Sequence, residues 1–180
     1  EDLEQAREDN MKAAVCGLLL VAVVVSAQVQ VCPDIYTKSG WGGTYRSNAP
    51  LPNQPAQWVV VHHSAGEKCD DFASCAQEMR NLENLHTTVF GWTDIAYNFC
   101  IGNDGSIYEG RGFNYQGLHS PGFNQQSLGV CFLGTYTDEK PSEEALQALR
   151  DLLFCGVDRL SLYQQYYIIG HRQDVTTECP

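Results

Sequence analysis

Two apolar runs in this chain end in histidine. QWVVVHHS (57–64) closes on His62 and His63, and YYIIGHRQDVTTECP (166–180) places His171 just past Ile168 and Ile169, with Cys179 eight residues further on. Imidazole and thiolate both suit zinc, and two histidines plus one cysteine leave a fourth position open to water, as a catalytic site requires. Spacing alone leaves a second reading standing, in which the histidines are satisfied by hydrogen bonds and Cys179 lies in a disulfide. Side chains alternate across a strand, so one of His62 and His63 can face a shared metal and the other faces away.

Bringing these residues together needs neighbouring strands. VVVHH is β-branched and apolar, the composition of a strand buried on both faces, and SLGVCFLG (127–134) and QYYIIG (165–170) read the same way. IAYNFCIG (95–102) and SIYEGR (106–111) flank Asn103-Asp104-Gly105, a strong turn signal between strands. Met79, Leu82, His86 and Val89 recur at helical spacing over residues 74–89. PSEEALQALRDLLFCGV (141–157) is the clearest helix, with Pro141 and Ser142 at its start, two glutamates in the first turn, and Leu146, Leu149 and Leu153 on one stripe. Residues 33–56, rich in Pro, Gly and Asn, read as an irregular wrap. Strands alternating with two helices predict an α/β fold: a mixed, mostly parallel central sheet flanked by helices. In open sheets of this type, chemistry gathers at the carboxyl ends of the strands, where both histidine runs end.

Composition bounds the remainder. Hydrophobic residues at 43% and charged residues at 18% describe an ordinary core, and a net charge of −11 without a basic run argues against nucleic acid as a partner. MKAAVCGLLLVAVVVSAQ, from Met11, has a lysine, an apolar run of about 15 residues and then small residues, the layout of a secretory signal cleaved after Ala27; the run falls short of the roughly 20 that cross a bilayer. Residues 1–10 are acidic where a signal is basic and read as an upstream extension. The expected domain is therefore 28–180, secreted and extracellular. Cys16 leaves with the signal, so Cys32, Cys69, Cys75, Cys100, Cys131, Cys155 and Cys179 remain: an odd set, with one thiol left unpaired or given to a metal.

VVVHHSAG, GWTDIAYNFCIGNDGSIYEGRGFN, SLGVCFLG and GHRQDVTTECP resemble, in order and spacing, the peptidoglycan recognition protein family, which is similar to type 2 N-acetylmuramoyl-L-alanine amidases. The resemblance runs from about Cys32 to Pro180. It implies a zinc site of His62, His171 and Cys179, with Tyr97 aimed at the metal-bound water and Thr177 helping to polarise the scissile carbonyl. Tyr97 and Phe99 are expected to share a strand face. Substrate contacts are implied for His86, Trp92, Arg111, Gly112, Phe113 and His119; His86 also fits a core or groove-edge place. His63 is read as a packing or hydrogen-bonded residue, and Arg111 and Asp174 as candidates for a structural ion pair. Disulfides Cys69–Cys75 and Cys32–Cys155 are implied as well. At Cys100 and Cys131 the sequence departs from the family pattern, and two buried thiols are expected there ahead of a third disulfide.

What the resemblance implies in function is a secreted enzyme of innate immunity that binds bacterial peptidoglycan and cuts the amide between the lactyl group of N-acetylmuramic acid and L-alanine. A non-catalytic peptidoglycan receptor is the other class the family holds, and such members often carry serine as the third ligand where this chain has Cys179. GRGF stands where GRGW is common, which leaves open whether diaminopimelate-type or lysine-type stem peptides are preferred. Relatives continue past the ECP motif into a glycine and a closing helix, so a shortened C-terminal end is expected.

Overall fold

The computed structural model describes residues 32–180; the upstream segment and the signal-like segment lie outside the described residues. Six strands form one sheet: β1 (Ile35–Tyr36), β2 (Ala56–His63), β3 (Phe99–Ile101), β4 (Ile107–Glu109), β5 (Ser127–Phe132) and β6 (Leu162–Gly170). Their order is β1-β4-β3-β5-β2-β6, and every neighbouring pair is parallel except the β3–β4 hairpin. The hairpin turns at Asn103-Asp104-Gly105, where Gly105 has a φ of 83° that a side chain would strain. β2 lies between β5 and β6, and Val59 and Val60, which point to opposite faces, are both fully buried, as in a sheet covered on both sides.

Helix α1 (Phe72–Asn84) begins at Asp71, whose carboxylate accepts from the Ser74 N–H at 2.8 Å. It runs on into a wide π-helical turn, Leu85–Val89. That turn keeps His86 buried but swings Val89 out, so Val89 is 66% exposed and does not continue the apolar stripe. Helix α2 (Glu143–Asp158) is capped by Ser142, which accepts from the Ala145 N–H at 3.0 Å, and carries Glu143 and Glu144 at its positive end. Its buried face is Ala145, Ala148, Leu152, Leu153, Cys155 and Gly156; Leu146 and Leu149 flank the core rather than centre it, because close approach to the sheet favours the small residues.

Two apolar clusters hold the elements together. The larger joins β2, β3, β5 and α2 around Val59, Phe99, Val130 and Leu152. The second lies under α1 and contains Trp41, Met79, Cys100, Tyr108 and Cys131. The wrap over residues 33–56 is irregular as expected but firmly anchored: Lys38 is buried, with its ammonium 2.5 and 2.6 Å from the two oxygens of Asp94. Two sequence expectations need correction. Tyr97 precedes β3, so strand alternation does not govern it; it packs on the second cluster while Phe99 enters the first. Cys100 and Cys131 are bonded, not free: they face each other in register on β3 and β5, with Cα atoms 4.5 Å apart. Cys32–Cys155 ties the wrap to α2, and Cys69–Cys75 closes the loop after β2.

Candidate metal centre

The parallel register of β2 and β6 pairs Val61 with Gly170, so His62 and His171 leave the sheet side by side at its carboxyl edge. Their ring centroids are 4.5 Å apart. A 3-10 turn, His171–Gln173, redirects the chain, and the following loop returns Cys179 to the same edge. One donor atom from each of His62, His171 and Cys179 lies within 4.8 Å of the others. The His62 Nδ1 is 3.7 Å from Cys179 Sγ, and the His63 backbone N–H donates to that sulfur at 3.3 Å. Among the described residues Cys179 is the free cysteine. It is a buried thiol, not half of a disulfide.

His63 points the other way, as alternation requires, and its Nδ1 accepts from the Tyr136 N–H at 3.0 Å. Burial disfavours charge throughout the cluster. His62 is 1% exposed, and burial, then the neighbouring histidines 119, 171 and 63, pushes its pKa down to about 2. His171 is lowered more gently by burial, with Asp174 opposing. The Cys179 thiol is pushed up by burial, against the pull of the His63 N–H and of Arg172. Two neutral imidazoles therefore offer lone pairs beside a sulfur whose ionisation needs a cation.

The Tyr97 ring lies 5.1 Å from that of His62, and its hydroxyl donates to the His63 carbonyl at a long 3.4 Å. Burial, then the proximity of Cys179, raises the phenol well above its ordinary range, so it remains a donor at neutral pH. Thr177 Oγ1 accepts from the Cys179 N–H at 3.2 Å. His86 is buried beneath the site: its Nδ1 accepts from the Ala96 N–H at 3.0 Å, and its ring packs on Phe90, Trp92 and Tyr97. Trp92 is half-buried beside the exposed Phe90 and offers an aromatic rim.

The other expected contact residues have these surroundings. The Arg111 guanidinium is buried and donates to the carbonyls of Ile95, Gln116 and Asp94, holding the loop before β3 instead of pairing with a carboxylate. Phe113 turns into the main core, 4.5 Å from Phe99, and Gly112 receives the Asn98 side-chain amide on its carbonyl at 2.8 Å. Asp174 accepts a short hydrogen bond from the Ser120 hydroxyl and forms no ion pair with Arg111. His119 is enclosed against His62. Residues that sequence reasoning missed are Arg172, which donates to the Cys179 carbonyl, and Asn98, Asn124 and Ser127, which fix the loops behind His62. A basic residue directly after His171 was the one available signal for Arg172.

This is an α/β domain with a His, His, Cys donor set, competent to hold a metal ion, at the carboxyl edge of two parallel strands. The family model described as N-acetylmuramoyl-L-alanine amidase matches residues 52–180. Peptidoglycan-recognition protein SC2 of Drosophila simulans is 38% identical over 164 residues, 91% of this chain and 89% of that protein. The human N-acetylmuramoyl-L-alanine amidase is 40% identical over 153 residues, which cover 83% of this chain and 27% of that longer protein. The crystal structure of peptidoglycan recognition protein-LE in complex with tracheal cytotoxin, a monomeric diaminopimelic acid-type peptidoglycan, superimposes with a TM-score of 0.79 at 38% identity, over 81% of this chain and 86% of that one. The chain belongs to the peptidoglycan recognition protein family, within the N-acetylmuramoyl-L-alanine amidases.

Proposed function

We propose that this chain is a secreted zinc amidase that binds bacterial peptidoglycan and hydrolyses the amide between the lactyl group of N-acetylmuramic acid and the L-alanine of the stem peptide. The observation that carries the reading is the convergence of His62, His171 and Cys179 within 4.8 Å, with the thiol in no disulfide. Two imidazoles and a thiolate are a zinc donor set that leaves one position open. Amidase relatives and a relative solved with a peptidoglycan fragment support the substrate class. The signal-like segment 11–27 and three disulfides support an extracellular setting; among the described residues no helix is long and apolar enough to cross a membrane.

Zinc held by these three side chains supplies Lewis acidity and lowers the pKa of water from 15.7 to about 7. The chain's own groups supply the rest. The Tyr97 hydroxyl, protonated at neutral pH and only loosely held by the His63 carbonyl, donates to the oxygen of the scissile carbonyl as negative charge develops there. Thr177 keeps its hydroxyl hydrogen free for the same oxygen, because its contact with the Cys179 N–H uses a lone pair. Trp92 and Phe90 form an apolar rim for the substrate. Water adds across the amide, the C–N bond breaks, and the products are the lactyl carboxylate and the free amine of L-alanine.

Zinc analysis of purified protein and release of stem peptide from defined muropeptides test this. About one zinc per chain is expected, with activity lost to chelator. Cys179→Ser should abolish hydrolysis and keep peptidoglycan binding. Binding without release of stem peptide by the unaltered protein would convert the enzyme into a receptor.

A further inference from the structure

The nitrogen of His62 that faces away from Cys179 meets a second imidazole: His62 Nε2 and His119 Nδ1 are 3.0 Å apart. Beyond it, His119 Nε2 lies 3.4 Å from Ser127 Oγ, and that hydroxyl donates to the Phe123 carbonyl at 2.8 Å. Keeping the 2.8 Å bond from Ser127 to Phe123, shorter than the 3.4 Å contact with His119, selects one assignment of hydrogens. A hydroxyl has a single hydrogen, and with it on Phe123 the serine oxygen can only accept, so His119 Nε2 carries the N–H. A neutral imidazole has one hydrogen, so His119 Nδ1 presents a lone pair and His62 Nε2 must supply the hydrogen between them. His62 Nδ1 is then bare, and that is the atom 3.7 Å from Cys179 Sγ.

The His119 ring has no room to flip and exchange its two nitrogens. A Cβ built on Gly117 or on Gly129 would lie 2.3 Å from His119 Cδ2, so two glycine backbones clamp the ring. The His119 and Ser120 backbone N–H groups both donate to Asn124 Oδ1, at 2.9 and 2.8 Å, and the Gly129 N–H donates to Asn98 Oδ1 at 2.8 Å. His119 is 7% exposed, and burial favours the neutral ring.

We propose that His119, anchored by Ser127, is a positioning residue that holds His62 as its Nε2–H tautomer and thereby directs the Nδ1 lone pair at the metal. The proposal rests on the metal-centre reading above. Ligating histidines commonly donate their second N–H to a carboxylate, a carbonyl or water; here another histidine, itself fixed by a serine, takes that place. Both ring nitrogens of His119 are thus engaged inside the protein.

Two-bond proton–nitrogen NMR correlations on the metal-free, nitrogen-15-labelled full chain read the tautomers directly. His62 and His119 should both appear as Nε2–H. A His62 ring protonated at Nδ1 would overturn the proposal, and this measurement needs no variant to fold. Zinc affinity gives the second arm. His119→Ala should weaken zinc binding about 10- to 100-fold and leave His62 a mixture of tautomers. His119→Gln, whose side-chain carbonyl can accept from His62 Nε2–H, should restore much of the affinity. Equal losses in Ala and Gln variants would show a merely structural role, and unchanged affinity in His119→Ala would also refute the idea. Absence of zinc binding in unaltered protein whose His62 is Nε2–H would instead remove the metal reading and leave the tautomer arrangement standing.

Discussion

His62 sits on a strand with β5 on one side and β6 on the other, and its ring is enclosed by His119 and Tyr97. His171 and Cys179 ride instead on the segment leaving the sheet, most of which is exposed or half-exposed. That segment is held by hydrogen bonds: Arg172 donates from its Nε to the Cys179 carbonyl at 3.2 Å and from its guanidinium to the Glu178 carbonyl at 3.3 Å, and its backbone N–H donates to Pro180 at 3.2 Å. One half of the site is therefore set by the same packing that holds the sheet, and the other by hydrogen bonds along the segment that follows β6. Loss of His62 should affect fold and metal together, whereas changes on the segment after β6 should affect the metal alone.

His62→Ala carries the largest expected effect. It removes a donor that no neighbour can replace, because His63 faces the opposite side, so zinc content and hydrolysis should be lost together. Zinc retained in this variant would mean that β2 supplies no ligand. Arg172→Ala comes next. Without its two side-chain bonds the 177–180 segment samples more positions, and zinc affinity should fall about 10-fold, by analogy with other residues that support a ligand, with the denaturation midpoint of the metal-free protein nearly unchanged. A large loss of stability in the metal-free variant would show that the tail is part of the folding core after all. His63→Ala should do the reverse. It strands the buried Tyr136 N–H at a cost of about 1–3 kcal/mol, yet keeps the backbone N–H that donates to Cys179 Sγ. Zinc binding should persist while chemical denaturation reports the loss; the opposite result would shift the strand register by one.

What the sequence made legible follows the same division. β2, β5, β6 and α2 could be read because their signals are local: β-branched runs, a serine cap, two glutamates in a first turn. The convergence of His62, His171 and Cys179 was within reach because two strand ends each carried a donor and a parallel pairing aligns them. The Cys100–Cys131 bond was not, since it depends on the register of β3 against β5, which no local pattern encodes. The surroundings of Arg111 and Phe113 were not legible for a related reason. A guanidinium enclosed by a returning loop and a ring turned into the core look, in sequence, the same as residues that line a groove. His119 could be identified as important but not as a neighbour of His62, because the room for its ring is left by two glycines whose only signal is the lack of a side chain.

Acid should probe the same contrast without any substitution. Burial lowers the folded-state pKa of His62 to about 2, of His119 to about 3 and of His86 to about 4, while His171 and His63 are also lowered. The unfolded chain binds protons near pH 6.5, so the folded state binds fewer between there and these depressed values. Stability from the neutral rings is therefore fully present above about pH 6.5 and is lost as pH falls below it. Each buried ring contributes at most about 1.4 kcal/mol per pH unit, and His62 and His119 share a contact, so their contributions do not simply add. For the metal-free protein, denaturation at pH 7 and at pH 5 should show a marked fall in stability, with NMR finding His62 and His86 still neutral at pH 5. His86 is the cleanest probe: it lies off the metal cluster, accepts from the Ala96 N–H through Nδ1, and must give up that bond if Nδ1 is protonated. Stability that stays level from pH 7 to pH 5, or a His86 that titrates near 6.5, would mean that this enclosure opens to water, and the contrast between a packed half and a tethered half would lose its physical basis.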